Sequence, residues 1–197
     1  MELLRLRRRL GLARRGHRLL KGKQDELLRR FLALLEEYLR ARRGLHERMG
    51  DLAGKSREVR TSVSADTIRT ASWPPPPGAR LRERKSRILN LKIPAYDVSL
   101  PELSPSYGPG QLPASHDGLV VSWRAAIPVM VEVAEKEKTL LLLAAEIERT
   151  RRRVNALEYN LIPGLEEGVR TIRFKLAEAE LSSLTRLMRI KDIVRGS

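Results

Sequence analysis

The chain contains no cysteine among its 197 residues. That removes any disulfide framework and any thiol chemistry, and it fits a reducing compartment. Aromatic side chains are scarce, at 4%, which is low for a packed globular core. The three histidines, His17, His46 and His116, are too scattered for a metal cluster and have no thiol or carboxylate at ligand spacing nearby. Long apolar runs are missing too. The longest, Leu140 to Ala145, spans six residues, whereas a transmembrane helix needs about 20, so no direct membrane insertion is expected. Acidic residues are the minority: 24 Asp and Glu face 39 Lys and Arg, a formal charge of +15.

That charge is uneven. Residues 1–60 hold 18 basic and 8 acidic side chains, 61–119 hold 7 and 5, and 120–197 hold 14 and 11. The basic excess belongs mainly to the N-terminal segment and implies an acidic protein surface, nucleic acid or anionic lipid as its counterpart. The Arg-rich start has the composition of a mitochondrial presequence. The same helical pattern nevertheless continues to about Leu52, with no change at any cleavage-like site.

What the chain has in quantity is Leu, Ala, Arg and Glu, the composition of long helices. Residues 1–60 are predicted to be one helix. Leu20, Leu27, Phe31, Leu34, Tyr38, Ala41 and Leu45 recur at the three- and four-residue steps of a coiled-coil seam. Gln24 fills the slot between Leu20 and Leu27, where an amide weakens packing but fixes register. Gly50 and Gly54 weaken the helix near its end.

Residues 61–118 change character. Trp73 is followed by Pro74 to Pro77, and then by Pro94, Pro101, Pro105, Pro109 and Pro113. No long helix survives that density of proline. Leu89 to Ile93 alternates apolar and polar residues, as a strand does. This segment is expected to be a small Pro-rich head, partly β or irregular, with room for a short hairpin.

Residues 119–197 carry the second long helical pattern, running to about Val194. Its apolar stripe is Ala126, Met130, Val133, Leu140, Ala144, Ile147, Val154, Leu157, Leu161, Leu165, Ile172, Leu176 and Ala179. Some 75 helical residues would make a rod of roughly 110 Å, which no globular domain of this length accommodates. The stripe drifts between seven- and eleven-residue spacing, which relaxes a left-handed supercoil. Two long helices joined by an insert run antiparallel if they pair. The expected fold class is therefore all-α: a long antiparallel two-helix coiled coil with the head between its helices and both termini at the far end. Pro163 lies inside the second helix and removes one backbone donor while crowding the carbonyl of Tyr159, which implies a kink or a designed bend.

Catalytic machinery is not evident. Gly11 and Gly16 have the glycine spacing of a phosphate loop, but His17 and Arg18 stand where Lys and Ser/Thr are required, and no strand precedes them. The pairs Glu36/Glu37 and Glu166/Glu167 fit solvated helix faces with charge-pairing neighbours. Arg149, Arg151, Arg152 and Arg153 crowd so much of one helix circumference that at least one should lie near the seam. Nucleic-acid binding would be carried by phosphate contacts with steep salt dependence, but the helices lack interleaved aromatics for base stacking. No catalytic, metal or cofactor residue is expected.

Two blocks carry a family resemblance. The first is Leu12-Ala13-Arg14-Arg15-Gly16-His17-Arg18-Leu19-Leu20-Lys21, continuing through Lys23, Asp25 and Leu27. The second is Glu146-Ile147, Thr150, the run Arg152-Arg153-Val154-Asn155-Ala156-Leu157-Glu158, then Ile162-Pro163 and Leu165-Glu166. A looser match continues through Ile172, Leu176, Glu178 and Arg189-Ile190-Lys191, and a weak one covers Leu91 to Pro94. Together these blocks resemble the D subunit of the vacuolar/archaeal-type (V-type/A-type) rotary ATPases, their central rotor stalk. Leu181-Ser182-Ser183-Leu184 departs from the acidic run that the family often has there.

The resemblance implies a shaft that transmits torque between a catalytic hexamer and a membrane rotor ring, without an active site of its own. The implied partners are the catalytic A and regulatory B subunits of the hexamer, the small F subunit of the central stalk, and the funnel-shaped C/d subunit on the ring. It also implies a cytoplasmic place peripheral to the inner (plasma) membrane; the high Arg and Leu content with no Cys points to a prokaryotic source. Arg14, Arg15, Arg18 and Lys21 are then candidates for weak, long-range guidance against an acidic bearing. A coiled-coil adaptor or scaffold with an acidic partner is the alternative. It would share the helices without needing the block from Val154 to Glu158.

Overall fold

A computed structural model describes residues 1–71, 78–88, 91–102, 107–108 and 110–195, with the backbone alone for 192–195. The sequence features at Trp73, Pro74–Pro77, Leu89, Asn90, Pro105 and Pro109 lie outside the described residues. The elements in chain order are α1 (Glu2–Ser62), α2 (Ala65–Ala71), β1 (Arg80–Ile88), β2 (Leu91–Ser99), α3 (Ala114–Asn155), a π-helical turn (Ala156–Leu161) and α4 (Ile162–Arg195).

Helix α1 carries buried residues at seven-residue multiples: Ala13 and Leu27 on one phase, then Tyr38, Leu52 and Val59 on the other. These are the two apolar positions of a heptad, and burying them is what holds a helix this long together. Gly50 and Gly54 do not end it; Leu52 and Val59 anchor the last turns on either side of Gly54. A fresh start follows. The Ser64 hydroxyl accepts from the Thr67 amide at 3.2 Å, an N-cap that opens α2.

The chain falls into two compact units. One is Met1–Leu27 with Ile147–Ser197; the other is Leu28–Glu146. In the second, α1 and α3 pair antiparallel. Lys136 Nζ donates to Glu37 at 3.2 Å, and Lys55 Nζ to the Ser122 hydroxyl at 2.7 Å, so residue numbers rise on one helix as they fall on the other. Tyr38, Val133 and Leu140 form the core there, with Phe31, Leu34, Leu35, Ala41 and Leu45 packed around them. Lys136 also meets Glu132 at 3.4 Å. Burial works to lower its pKa, but the hydrogen bonds to the two glutamates outweigh that, and the net shift is upward.

The second unit also holds the hairpin. β1 and β2 pair antiparallel from Arg80↔Ser99 to Ile88↔Leu91. The strand expected at 89–93 thus belongs to β2, which begins at Leu91 and runs to Ser99. β1, with the sequence RLRERKSRI, has no alternation of apolar and polar residues to announce it. The Tyr96 amide donates to Glu135 of α3 at 2.7 Å, which ties β2 to the helix. Arg124 of α3 donates to the carbonyls of Pro101 and Leu100.

Gly110 takes φ 84°, a left-handed turn before α3 that glycine adopts without strain. At the start of α3 the Tyr107 hydroxyl donates to Asp117, and His116 stands edge-on to the Tyr107 ring with centroids 5.4 Å apart. The hydrogen bond to Asp117, then burial, then the carboxylate charge push the Tyr107 phenol up to about 12. Pro128 sits inside α3, which continues through it.

Candidate functional site

The two family-like blocks lie in the first unit, on α1 and on the α3–π–α4 stretch. Here too the helices run antiparallel. A Cβ added to Gly168 would lie 3.6 Å from Leu6 Cδ1. Arg14 Nη2 donates to Glu166 Oε1 at 2.7 Å, and His17 Nε2 to Glu158 Oε2 at 3.2 Å. Arg14 and His17 are three apart on α1, so both face the partner helix. Residues of the first block therefore pair with residues of the second across more than 140 positions of chain.

Between these contacts lies a groove of about 300 Å³, lined by Leu12, Ala13 and Gly16 on one side and Leu157, Leu161 and Leu165 on the other, with Arg9 at its edge. This lining offers aliphatic carbon and one guanidinium. It has no converging set of polar groups to orient a small ligand. Among the described residues, no group of three His, Asp or Glu side chains is placed to hold a metal ion. No helix of the described residues is long and apolar enough to cross a membrane.

The seam changes phase in this unit. Upstream, the buried seam positions are Ala126, Val133, Leu140, Leu143, Thr150 and Val154, in steps of seven, three and four, with Thr139 also buried beside Leu140. Continued unchanged, that rhythm would bury 157, 161, 164, 168 and 171. Downstream, the buried residues are Leu165 and Val169, with Ile172 half-buried, each one place late. The π-helical turn Ala156–Leu161 lies at the break. A π turn holds one residue more than an α turn, and one residue of phase is the shift observed. Pro163 follows at once in α4. Its missing amide falls where the ladder is already changing from i→i+5 to i→i+4 spacing. The proline thus accompanies a local widening of the helix.

This relocates several candidate residues. Leu27, Tyr38, Leu140, Val154 and Leu165 are buried, and Leu20, Phe31, Leu34, Leu45, Ile147, Leu157 and Ile172 are half-buried. Leu161 and Leu176 are 43% and 47% exposed and so are not buried, although Leu161 still lines the groove facing α1. Leu161 is displaced by the phase shift, and Leu176 lies beyond the last turn that meets α1. The arginine block needs a correction as well. Arg149, Arg151, Arg152 and Arg153 are all exposed, because the seam passes through Thr150, 1% exposed, and Val154 instead. Arg152 pairs along its own helix with Glu148 at 3.5 Å. Of the remaining block, Asn155, Ala156 and Pro163 face outward and Ile162 is half-buried. Among the basic candidates, Arg14 is engaged with Glu166, while Arg15, Arg18 and Lys21 are exposed. Leu143, Thr150 and Val169 are core positions outside the predicted stripe.

The family model described as the ATP synthase D subunit matches residues 2–192. The chain belongs to the ATP synthase D-subunit family. Among its relatives, the V-type ATP synthase D subunit of Thermoanaerobacter sp. is 39% identical over 201 residues, covering 98% of this chain and 94% of that protein. The V-type ATP synthase D subunit of Acetivibrio thermocellus is 37% identical over 202 residues, covering 98% and 89%. That of Clostridium botulinum strain Langeland is 37% identical over 203 residues, covering 98% and 92%. As a member of the D-subunit family, the chain matches its relatives through the Pro-rich head as well as through the helices, although the motif resemblance in the head is weak.

Proposed function

We propose that this chain is the central-stalk rotor shaft of a V-type ATP synthase, carrying torque between the catalytic hexamer and the membrane rotor ring. It is a non-catalytic subunit of a multi-subunit complex. One observation carries this reading: the family match spans residues 2–192 and includes both halves of the helix pair that holds Arg14–Glu166 and His17–Glu158.

The partners in this reading are the A and B subunits of the hexamer, the small F subunit, and the funnel-shaped subunit on the ring. Exposed Arg15, Arg18 and Lys21 guide the shaft against an acidic bearing. The work done is allosteric in the energetic sense. The angle of an asymmetric shaft biases which catalytic interface is open, and turnover in turn biases the angle.

The test is co-expression with the A, B and F subunits of the same source, followed by size-exclusion chromatography and an ATPase assay. Co-elution at one copy per hexamer, with altered turnover, is expected. A helical chain that does not bind the hexamer would overturn the reading in favour of a coiled-coil adaptor.

A further inference from the structure

The two edges of the hairpin are treated differently. On the β2 side, Pro94 has no amide to offer, and the Tyr96 amide is taken by Glu135 of α3. An amide that donates to α3 does not donate into the ladder. Tyr96 and its partner Glu83 therefore form a non-hydrogen-bonded pair. Pro94, opposite Lys85, fits the same alternation. It follows that the backbone N–H and C=O groups of Leu81, Glu83, Lys85 and Arg87 point away from β2, along the outer edge of β1. Among the described residues, the sheet is β1 and β2 alone, and every β1 side chain before Ile88 is exposed.

The charge on that strand has a direction. Arg80, Arg82 and Arg84 share one face; Leu81, Glu83, Lys85 and Arg87 share the other. Arg84 meets Asp97, diagonally across on β2. A charged edge strand is commonly a guard against unwanted pairing. A guard needs charge of either sign, however, whereas here five basic residues accompany one acidic residue.

We infer that the outer edge of β1 takes an extended acidic segment of another polypeptide as a third, antiparallel or parallel strand. The incoming main chain pairs with Leu81, Glu83, Lys85 and Arg87. Acidic side chains at every second position lie over Arg80, Arg82 and Arg84. A two-stranded hairpin is marginal in water, and a third strand stabilises it. This inference stands apart from the rotor reading, since it needs only the hairpin and a chain that binds it.

The test uses the full chain and a synthetic peptide as long as β1, alternating glutamate and threonine. Amide exchange should slow at Leu81, Glu83, Lys85 and Arg87 and stay unchanged at Arg82 and Arg84, which already face the ladder. Glu83→Pro separates edge pairing from simple attraction. It deletes one outward amide, leaves the ladder to β2 intact and makes β1 more basic. Edge pairing predicts that peptide affinity falls about tenfold; attraction alone predicts that it rises. Retained exchange protection of the β2 ladder amides in the variant shows that the hairpin still folds. Equal or tighter peptide binding by Glu83→Pro, or protection without the alternation, would overturn the inference. So would equal binding of phosphatidylserine vesicles by wild type and variant with no response to the peptide.

Discussion

Arg14 and Glu166 stand 152 positions apart in the chain and meet at 2.7 Å. Both remain partly exposed, at 57% and 40%. An ion pair of this exposure contributes on the order of 0–1 kcal/mol. Its value is in register: it holds the segment after the π turn against one particular turn of α1.

Charge reversal tests that. Arg14→Glu should lower thermal stability slightly, by about 1 kcal/mol or less. The double variant Arg14→Glu/Glu166→Arg should recover most of the loss. Thermal unfolding followed by circular dichroism at low and high salt checks both. A double variant no better than the sum of its singles would mean that the pair has no coupling.

Reversal of Arg15, Arg18 and Lys21 to Glu should behave differently. These side chains are exposed, so the fold is expected to hold. Assembly with the hexamer and coupled turnover should weaken, most at low salt, where the Debye length exceeds about 10 Å. Unchanged coupling at low salt would sink the guidance role.

The π turn makes a prediction about single-residue deletions. Removing exposed Asn160 converts the π turn to α-helix and leaves Leu165, Val169 and Ile172 in phase with the upstream seam. Stability should change by about 1 kcal/mol or less, typical of a surface change. Removing exposed Arg151 instead rotates everything beyond it by roughly 100° relative to the seam, and cooperative unfolding should drop sharply. Denaturant titration of the two variants decides. Equal damage from both would argue against the one-residue phase account.

Leu143 is fully buried. Leu143→Ala should cost about 2–5 kcal/mol, the usual range for a buried leucine. Leu141→Ala, two residues away and 62% exposed, should cost far less. Urea midpoints of the two variants are the comparison.

Alkaline pH should loosen the second unit. Lys136 and Tyr107 both have raised values, so their protonated forms are favoured by the fold. Stability from Lys136 is present below its ordinary 10.5 and is lost as pH climbs through the higher folded value. Stability from Tyr107 is present below 10.0 and is lost as pH rises through about 12. Wild type and Lys136→Gln should therefore differ in stability at neutral pH and converge above 10.5. Tyr107→Phe should remove an ultraviolet phenolate transition near 12.

The helices are legible in the sequence because burial at seven-residue steps repeats many times, and repetition outweighs a few misplaced residues. The seam beyond Val154 is not. Periodicity extrapolates, and a π turn inserts one residue of phase without any change in composition. Leu157, Leu161 and Leu176 look like stripe residues, but only the first is even half-buried. Thr150 escapes an apolar stripe because it is polar, although four residues separate it from Val154 on the same face. β1 is invisible for a related reason. Strand detection rests on alternation of apolar and polar residues, and a strand exposed on both faces has none to show. Its partner β2 keeps Ile93 and Val98 and is partly legible. The cross-chain pairs Arg14–Glu166, His17–Glu158 and Tyr96–Glu135 depend on which turns of separate elements are opposed, which no local window contains.

From Arg173 to Lys191, every side chain of α4 is exposed, including Phe174, Leu181, Leu184, Leu187, Met188 and Ile190. Among the described residues, that stretch has no apolar burial to hold it helical. Any surface that packed against this stretch would bury apolar area, and so would supply the helix-stabilising burial that α4 lacks there.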